Sequence, residues 1–348
     1  MTAITLQTSA SGAGTITLAA PVTANNYTLT LPAETGSLMV VGGGTGALTI
    51  PSGTTAQRPE SPVVGTIRYN TTTGNPEWYS STGWLNFADP ILGMPPTIDY
   101  LVVAGGGGGG GGSSDGVAGG AGAGAGGLLT AAGYSVTAGS TLVITVGAGG
   151  TGGAKAGNGT KGTDSILTGA TTITAFGGGA GRSADQAAGS IENGGSGGGA
   201  SGSGGSAAGT GVAGQGFNGG TKNDGAAGSF AGGGGGGSSA AASGRTPGAG
   251  TSNSFSGTAV VYAAGGYGQG TSNFISANVA GGANTGNGGN GSINGASPGL
   301  AGAGGSGIVI IRYSIGYAAA TNTTGSPSIV VVGNNRIYTW TNSGSITF

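Results

Sequence analysis

The chain has 348 residues, 89 of them glycine, and its nine cations against ten anions leave a net charge of −1. With no histidine and no cysteine it cannot carry a Ser-His-Asp triad, a thiolate zinc site or a disulfide. The cations (Arg58, Arg68, Lys155, Lys161, Arg182, Lys222, Arg245, Arg312 and Arg336) are scattered, which argues against a nucleic-acid binder, whose phosphate contacts need clustered Lys and Arg.

Residues 1–50 read as short alternating strands: ITLQT (4–8), TITLAA (15–20), YTLTLP (27–32), SLMVV (37–41) and ALTI (47–50). Each is too short to build a core alone, so association with copies of itself is expected. The start, MTAITLQTSA, lacks a basic region followed by an apolar one, so no secretory signal is visible. Release inside a virus particle is one other way out of a cell. No apolar stretch approaches the roughly 18 residues of a membrane span.

Residues 51–88 form a different module. Thr66–Asn70 and Glu77–Ser80 flank TTTGN, which predicts a hairpin. Trp78, Tyr79 and Trp84 crowd into seven residues. They are expected to be buried as the core of a trimer, with a sugar-stacking patch as the alternative. Residues 89–97, with Pro90, Pro95 and Pro96, read as a stiff linker that closes this second region, 51–97.

A glycine-rich body follows over 98–315. It opens with IDYLVVA (98–104) and closes with GIVIIRY (307–313), whose apolar centres predict buried strands. Pairing between the two would fasten the ends of the body together. Further strands are expected within 134–149, 165–178 and 258–266, and glycine tracts in 105–127, 147–163, 194–216, 231–238 and 280–307. Glycine is a poor helix former, and twelve prolines are too few for collagen. Such composition often accompanies disorder, but β-branched residues and near-zero net charge point the other way. Extended left-handed helices with three residues per turn, laid side by side, fit the tracts, although the period of three is imperfect. Glycine-rich loops stacked on a sheet are the alternative. A tail over 316–348 predicts further strands turning at Gly333-Asn334-Asn335 and Asn342-Ser343-Gly344.

Two stretches resemble segments of bacteriophage tail-fibre proteins. The first runs from TTAQRPE to GWLNF and carries Arg58, Pro59, Gly65, Arg68, Tyr69, Asn70, Gly74, Glu77, Tyr79 and Trp84 in the pattern of a short fibre module. The second is NNYTLTLPAETGSLMV (25–40), and the body from IDYLVVAGGGGGG to GSGIVIIRY is similar to glycine-rich domains of tail adhesins. The resemblance implies a virion appendage, homotrimeric in its N-terminal β modules, whose distal glycine-rich domain touches the host. It implies other tail or baseplate proteins as partners, and polyglycine-II-like helices in the body.

Catalytic chemistry finds little support. The G-x-G-x-x-G matches lack a following helix and acidic residue. Asp99, Asp115, Asp164, Asp185, Glu192 and Asp224 sit mostly in turn-like surroundings instead of forming a carboxylate pair. No D-x-D-x-D-G calcium loop occurs. The aromatics stranded in glycine stand out. Phe217, Phe230, Phe255, Tyr267 and Phe274 are the candidate receptor contacts, since one aromatic per rigid loop gives contact area at low entropy cost. The expectation is therefore a mainly β protein: short β modules as an intertwined trimer, then a body of β-strands and polyglycine-II-like helices. Its expected role is a non-enzymatic fibre that binds a host glycan or outer-membrane protein. No metal, cofactor, nucleic acid or membrane insertion is expected. A structural virion part and an ice-binding protein are the alternatives.

Overall fold

The computed structural model describes residues 50–81, 83–87, 93–186, 191–203, 207–225, 229–270, 278–293 and 300–348. The strands expected within 1–49 and residues 89–92 of the expected linker lie outside these. The chain divides into two compact units, Met1–Leu85 and Asn86–Phe348. The described residues are mainly β, with one short 3-10 turn at Thr55–Gln57. Among them no helix is long and apolar enough to cross a membrane.

The first unit is a four-stranded sheet in the order β1 (Ser52–Gly53), β2 (Ile67–Asn70), β3 (Asn75–Ser80), β4 (Gly83–Asn86). The expected hairpin is β2–β3, in the register Ile67↔Trp78 and Arg68↔Glu77. Gly74, at φ +71°, closes its turn and donates its N–H to the Asn70 carbonyl at 2.9 Å. A charged cluster replaces the apolar core that so few residues cannot supply. Glu77 is fully buried between the guanidiniums of Arg58 and Arg68, at 2.6 and 3.4 Å. The Asn70 amide donates to the same carboxylate at 2.9 Å. Arg68 also donates to the carbonyls of Gln57 and Thr54, tying the entering chain to the hairpin. Removing one partner of such a buried pair costs about 3–5 kcal/mol, so the cluster holds the module together.

The second unit contains β5 (Thr97–Val103), β6 (Leu128–Ser135), β7 (Thr141–Thr145), β8 (Ser165–Thr168), β9 (Ile173–Ala175), β10 (Asn223–Gly225) and β11 (Ser229–Ala231). It continues with β12 (Thr251–Asn253), β13 (Val260–Tyr262), β14 (Ile308–Ser314), β15 (Asn322–Thr324), β16 (Ser328–Val332), β17 (Asn335–Trp340) and β18 (Gly344–Thr347). Two five-stranded antiparallel sheets form, in the orders β16-β17-β14-β5-β6 and β15-β18-β7-β8-β9. β5 and β14 pair as their apolar centres predict, with Val102 opposite Val309 and Leu101 opposite Ile310. Strands β16 to β18 belong to the same sheets, so 316–348 and 98–315 fold as one body.

The core lies on both faces of the first sheet. Tyr100, Val102, Val309, Ile311, Tyr338 and Trp340 meet Leu142, Ile144, Leu167, Ile346 and Phe348 of the second sheet's side. The alternate residues Leu101, Val103, Ile308, Ile310 and Ile337 face Tyr262, Ala263, Leu128 and Ala125. Each such large side chain buried contributes about 1.5–3 kcal/mol.

The glycine tracts grow out of one end of this sandwich. β5, β7 and β9 run directly into tracts beginning near 105, 147 and 177, while tracts ending near 127, 163 and 307 run into β6, β8 and β14. Successive residues of one tract bond to different neighbours, and every third residue returns to the same one. The N–H groups of Gly105, Gly108 and Gly111 donate to the carbonyls of Thr163, Thr160 and Gly157. Those of Gly106 and Gly109 donate to Gly305 and Gly302, and those of Gly107 and Gly110 to Gly124 and Ala121. The carbonyls of 105–112 accept from segments 178–184, 150–156 and 289–292 with the same repeat. Segment 105–112 is thus a three-residue-per-turn extended helix inside a ring of six others, three antiparallel and three parallel. Segments 119–127 and 231–237 are surrounded in the same way. All eight N–H and all eight carbonyl groups of 105–112 are bonded, one of them to the Ser292 hydroxyl, at 2.8–3.2 Å.

This packing explains the glycine. At each of the eight positions 105–112 a Cβ would lie within 3.0 Å of a neighbouring backbone. Outer tracts are freer. Along 147–154 the exposed positions are Ala148, Thr151 and Ala154, one residue in three. The imperfect period follows: an interior helix has no outward side, while a peripheral one has one.

Candidate functional site

Trp78, Tyr79 and Trp84 of the first unit are half-buried within the single chain. Trp84 lies 5.4 Å from the Tyr79 ring, centre to centre. The guanidiniums of Arg58 and Arg68 lie over it at 5.6 and 5.9 Å. Hydrogen bonding from Arg58 holds the Glu77 carboxyl below its ordinary value, and that same bond pushes the Arg58 guanidinium up. Trp78 faces Ile67 across the hairpin, and Ile67, Tyr69, Val63 and Val64 are exposed. The module therefore keeps an apolar surface although its charged cluster is closed.

The candidate contacts of the body do not converge. Phe255 is half-buried, packs on the core beside Val260, and lies under the Arg312 guanidinium, 3.7 Å from its ring centre. That arginine in turn pairs with Asp99 at 3.1 Å. Tyr267 is half-buried at mid-height of the bundle, its N–H donating to the Asn290 side chain and its carbonyl accepting from Gly291. Phe230 is exposed at the end opposite the sheets, where its carbonyl accepts from Gly119. Phe274 lies outside the described residues. Phe217 is exposed near the sheets, on the flank of the bundle.

Two surroundings have the character of a site. At the far end the chain reverses through 113–117 and 154–157, and Val117 is exposed there close to Phe230, whose strand neighbour Ala118 bridges to it. The Ser114 N–H donates to Asp185 at 2.7 Å. The Ser113 hydroxyl, and then the Val117 N–H, hold the Asp115 carboxyl below its ordinary value.

The other is a shallow pocket of about 620 Å³ around Phe217. Its loop turns at Gly214, at φ +79°. Gln215 is buried and fastens the loop to the second sheet. Its amide nitrogen donates to the Thr174 carbonyl and its amide oxygen accepts from the Phe176 N–H, each at 2.9 Å. The Gly211 N–H donates to Asn218 Oδ1 at 3.0 Å, closing the loop. Phe217 itself is bonded at both backbone ends, to Gly237 and Gly197, so the ring projects from a fixed point. Gln215 and Asn218 were not legible as site residues, since amides in glycine-rich sequence are commonplace.

The carboxylates weighed for catalysis are occupied structurally where their side chains are described. Asp164 accepts from the Gly177 N–H at 2.7 Å, and Asp99 pairs with Arg312. Glu192 forms an ion pair with Arg182 inside the bundle, both side chains about 1% exposed. Nothing in the sequence marks that pairing. Among the described residues no group of three His, Cys, Asp or Glu side chains is gathered as a metal site would require.

A sandwich continued by a hexagonal bundle of extended glycine helices defines a glycine-rich β domain. The family described as the glycine-rich domain matches residues 90–314, about two thirds of the chain, and the protein belongs to it. No curated protein matches the chain.

Proposed function

We propose that this chain is a non-enzymatic tail-fibre adhesin of a bacteriophage, which binds a host-surface glycan or outer-membrane protein. The observation that carries this reading is the division of labour in the bundle. Apart from the buried Arg182–Glu192 pair its interior is largely backbone locked to backbone, so most distinctive side chains are left to turns and outer faces on a rigid support. Rigid presentation lowers the entropy cost of binding. The exposed apolar surface of the first unit, with Val63, Val64, Ile67 and Tyr69, suits assembly into a trimer with other tail or baseplate proteins. Several copies per particle would make weak contacts effective.

The test applies fluorescently labelled full-length chain to a panel of bacteria, with unlabelled chain as competitor. Saturable, competed binding to particular strains is expected. A folded chain that binds none of a broad panel would leave a structural virion part as the better account. A second reading draws on the outer Thr151–Thr160 hydroxyl pair, 3.1 Å apart, as part of a hydroxyl-bearing flank that could order water. Thermal hysteresis of the same sample would favour it.

A further inference from the structure

We infer that the pocket around Phe217 is a binding site for a neutral saccharide, an inference that rests on the adhesin reading. Phe217 is 46% exposed on a backbone held at both ends. A large exposed aromatic on a loop this firmly bonded is poorly explained by packing, because its face covers no core cluster. Aromatic faces take up the apolar C–H face of a pyranose ring and bury area at little entropy cost.

The polar groups suit the same ligand. Asn218 is exposed and uses its amide oxygen on Gly211, which leaves its Nδ2 as a donor toward the pocket. Ser238 also lines the pocket, its hydroxyl engaged with the Thr251 hydroxyl at 2.8 Å and the Tyr262 carbonyl at 3.4 Å, so it can offer a ligand only a remaining acceptor lone pair. Ala213 and Ala241 keep the walls low, and glycines between them let a ligand approach the backbone. The volume falls in the range of small-ligand sites.

None of the described residues lining the pocket is charged. A sialic or uronic acid, or a phosphorylated sugar, would lose water around its charge and find no cation. The geometry therefore selects uncharged hexoses and N-acetylhexosamines.

The experiment titrates full-length protein with neutral hexoses and N-acetylhexosamines, and with sialic acid and glucuronic acid, by saturation-transfer NMR and calorimetry. At least one neutral sugar should bind, with transfer to its ring C–H face, and the acids should not. Phe217→Ala should weaken binding at least about tenfold, and Phe217→Trp should retain it within a few fold. Asn218→Ala should weaken it by a smaller factor. Because Phe217 is exposed, both of its variants should keep the parent Tm, which is checked first, whereas Asn218→Ala also removes the Gly211 bond and should lower it slightly. Binding of the acids alone, no binding of any sugar, or full affinity in Phe217→Ala would overturn the inference. The same variant is then tested on cells. Saturable cell binding that Phe217→Ala leaves unchanged sinks this site and leaves the adhesin standing. Sugar binding through Phe217 in a chain that binds no cell sinks the adhesin and leaves the site.

Discussion

Replacing Gly108 by alanine tests whether the bundle is held by backbone contact. A Cβ there would meet the Thr151 carbonyl and the Gly152 nitrogen within 3.0 Å, where ordinary contact begins at 3.4 Å. Both obstacles are backbone, so no rotamer change relieves them. Segment 150–156 would have to move, and it is bonded to the same helix by Gly150 to Gly106, Gly153 to Gly109 and Ala156 to Gly112, at 2.8–2.9 Å. A buried bond so broken costs about 1–3 kcal/mol, and weakening two of them gives roughly 2–6 kcal/mol. Against this, alanine stabilises by about 0.4–1 kcal/mol through the unfolded chain. The net expectation is a loss of about 1–5.5 kcal/mol. At about 2–4 °C per kcal/mol for a domain of this size, Tm falls by roughly 2–22 °C in scanning calorimetry. Gly282→Ala is the control. It is exposed, and its Cβ would meet only the Thr285 side chain at 3.4 Å, so it should lie within about 0.5 kcal/mol of the parent or slightly above it. A Gly108→Ala protein as stable as the control would refute the packing argument.

Two further predictions concern pH. Glu77 is depressed below its ordinary value of 4.5, so its contribution is full above that value and is lost as pH falls through the lower folded one. Fluorescence of Trp78 and Trp84 should report an acid transition of the first unit below pH 4.5, and Glu77→Gln should be destabilised already at neutral pH. A variant with the parent's acid profile would remove the carboxylate from the account. Burial, with the hydrogen bond to Tyr338 at 2.9 Å, raises the Tyr313 phenol above its ordinary 10.0. Stability from it is complete below about pH 10 and declines above. Its phenolate absorbance should appear only with loss of near-UV dichroism; ionisation in a folded chain would contradict the buried pair.

Much of the second unit's sheet structure was legible because β-branched runs advertise strands. IDYLVVA and GIVIIRY carry apolar residues on both faces, which announces burial on both, and they pair as their chemistry suggests. The tail strands were legible from their turns, but their place in the same two sheets was not, since apolar alternation does not name a partner. The bundle shows this limit most clearly. Glycine composition indicates close packing of extended helices, yet the choice of six neighbours for 105–112 leaves no mark, because a residue without a side chain cannot encode whom it touches. The order is set by the sandwich, whose strands deliver six tract ends in fixed positions. Among the site candidates, exposure at Phe217 and Phe230 could be argued from polar, glycine-rich surroundings. The fate of Phe255 depended on Arg312, 57 residues away in sequence and beyond any local pattern.

The threefold repeat of the bundle also constrains how such a chain can change length. One residue added within 147–154 would turn everything after it by about 120°, aiming Thr151 from solvent into a neighbouring backbone. Three residues would advance the segment by a whole turn, about 9 Å, and restore every orientation. Lineages of this fold should therefore gain and lose bundle residues in triplets while their turns vary one residue at a time. Aligned relatives would show a reading frame written in protein.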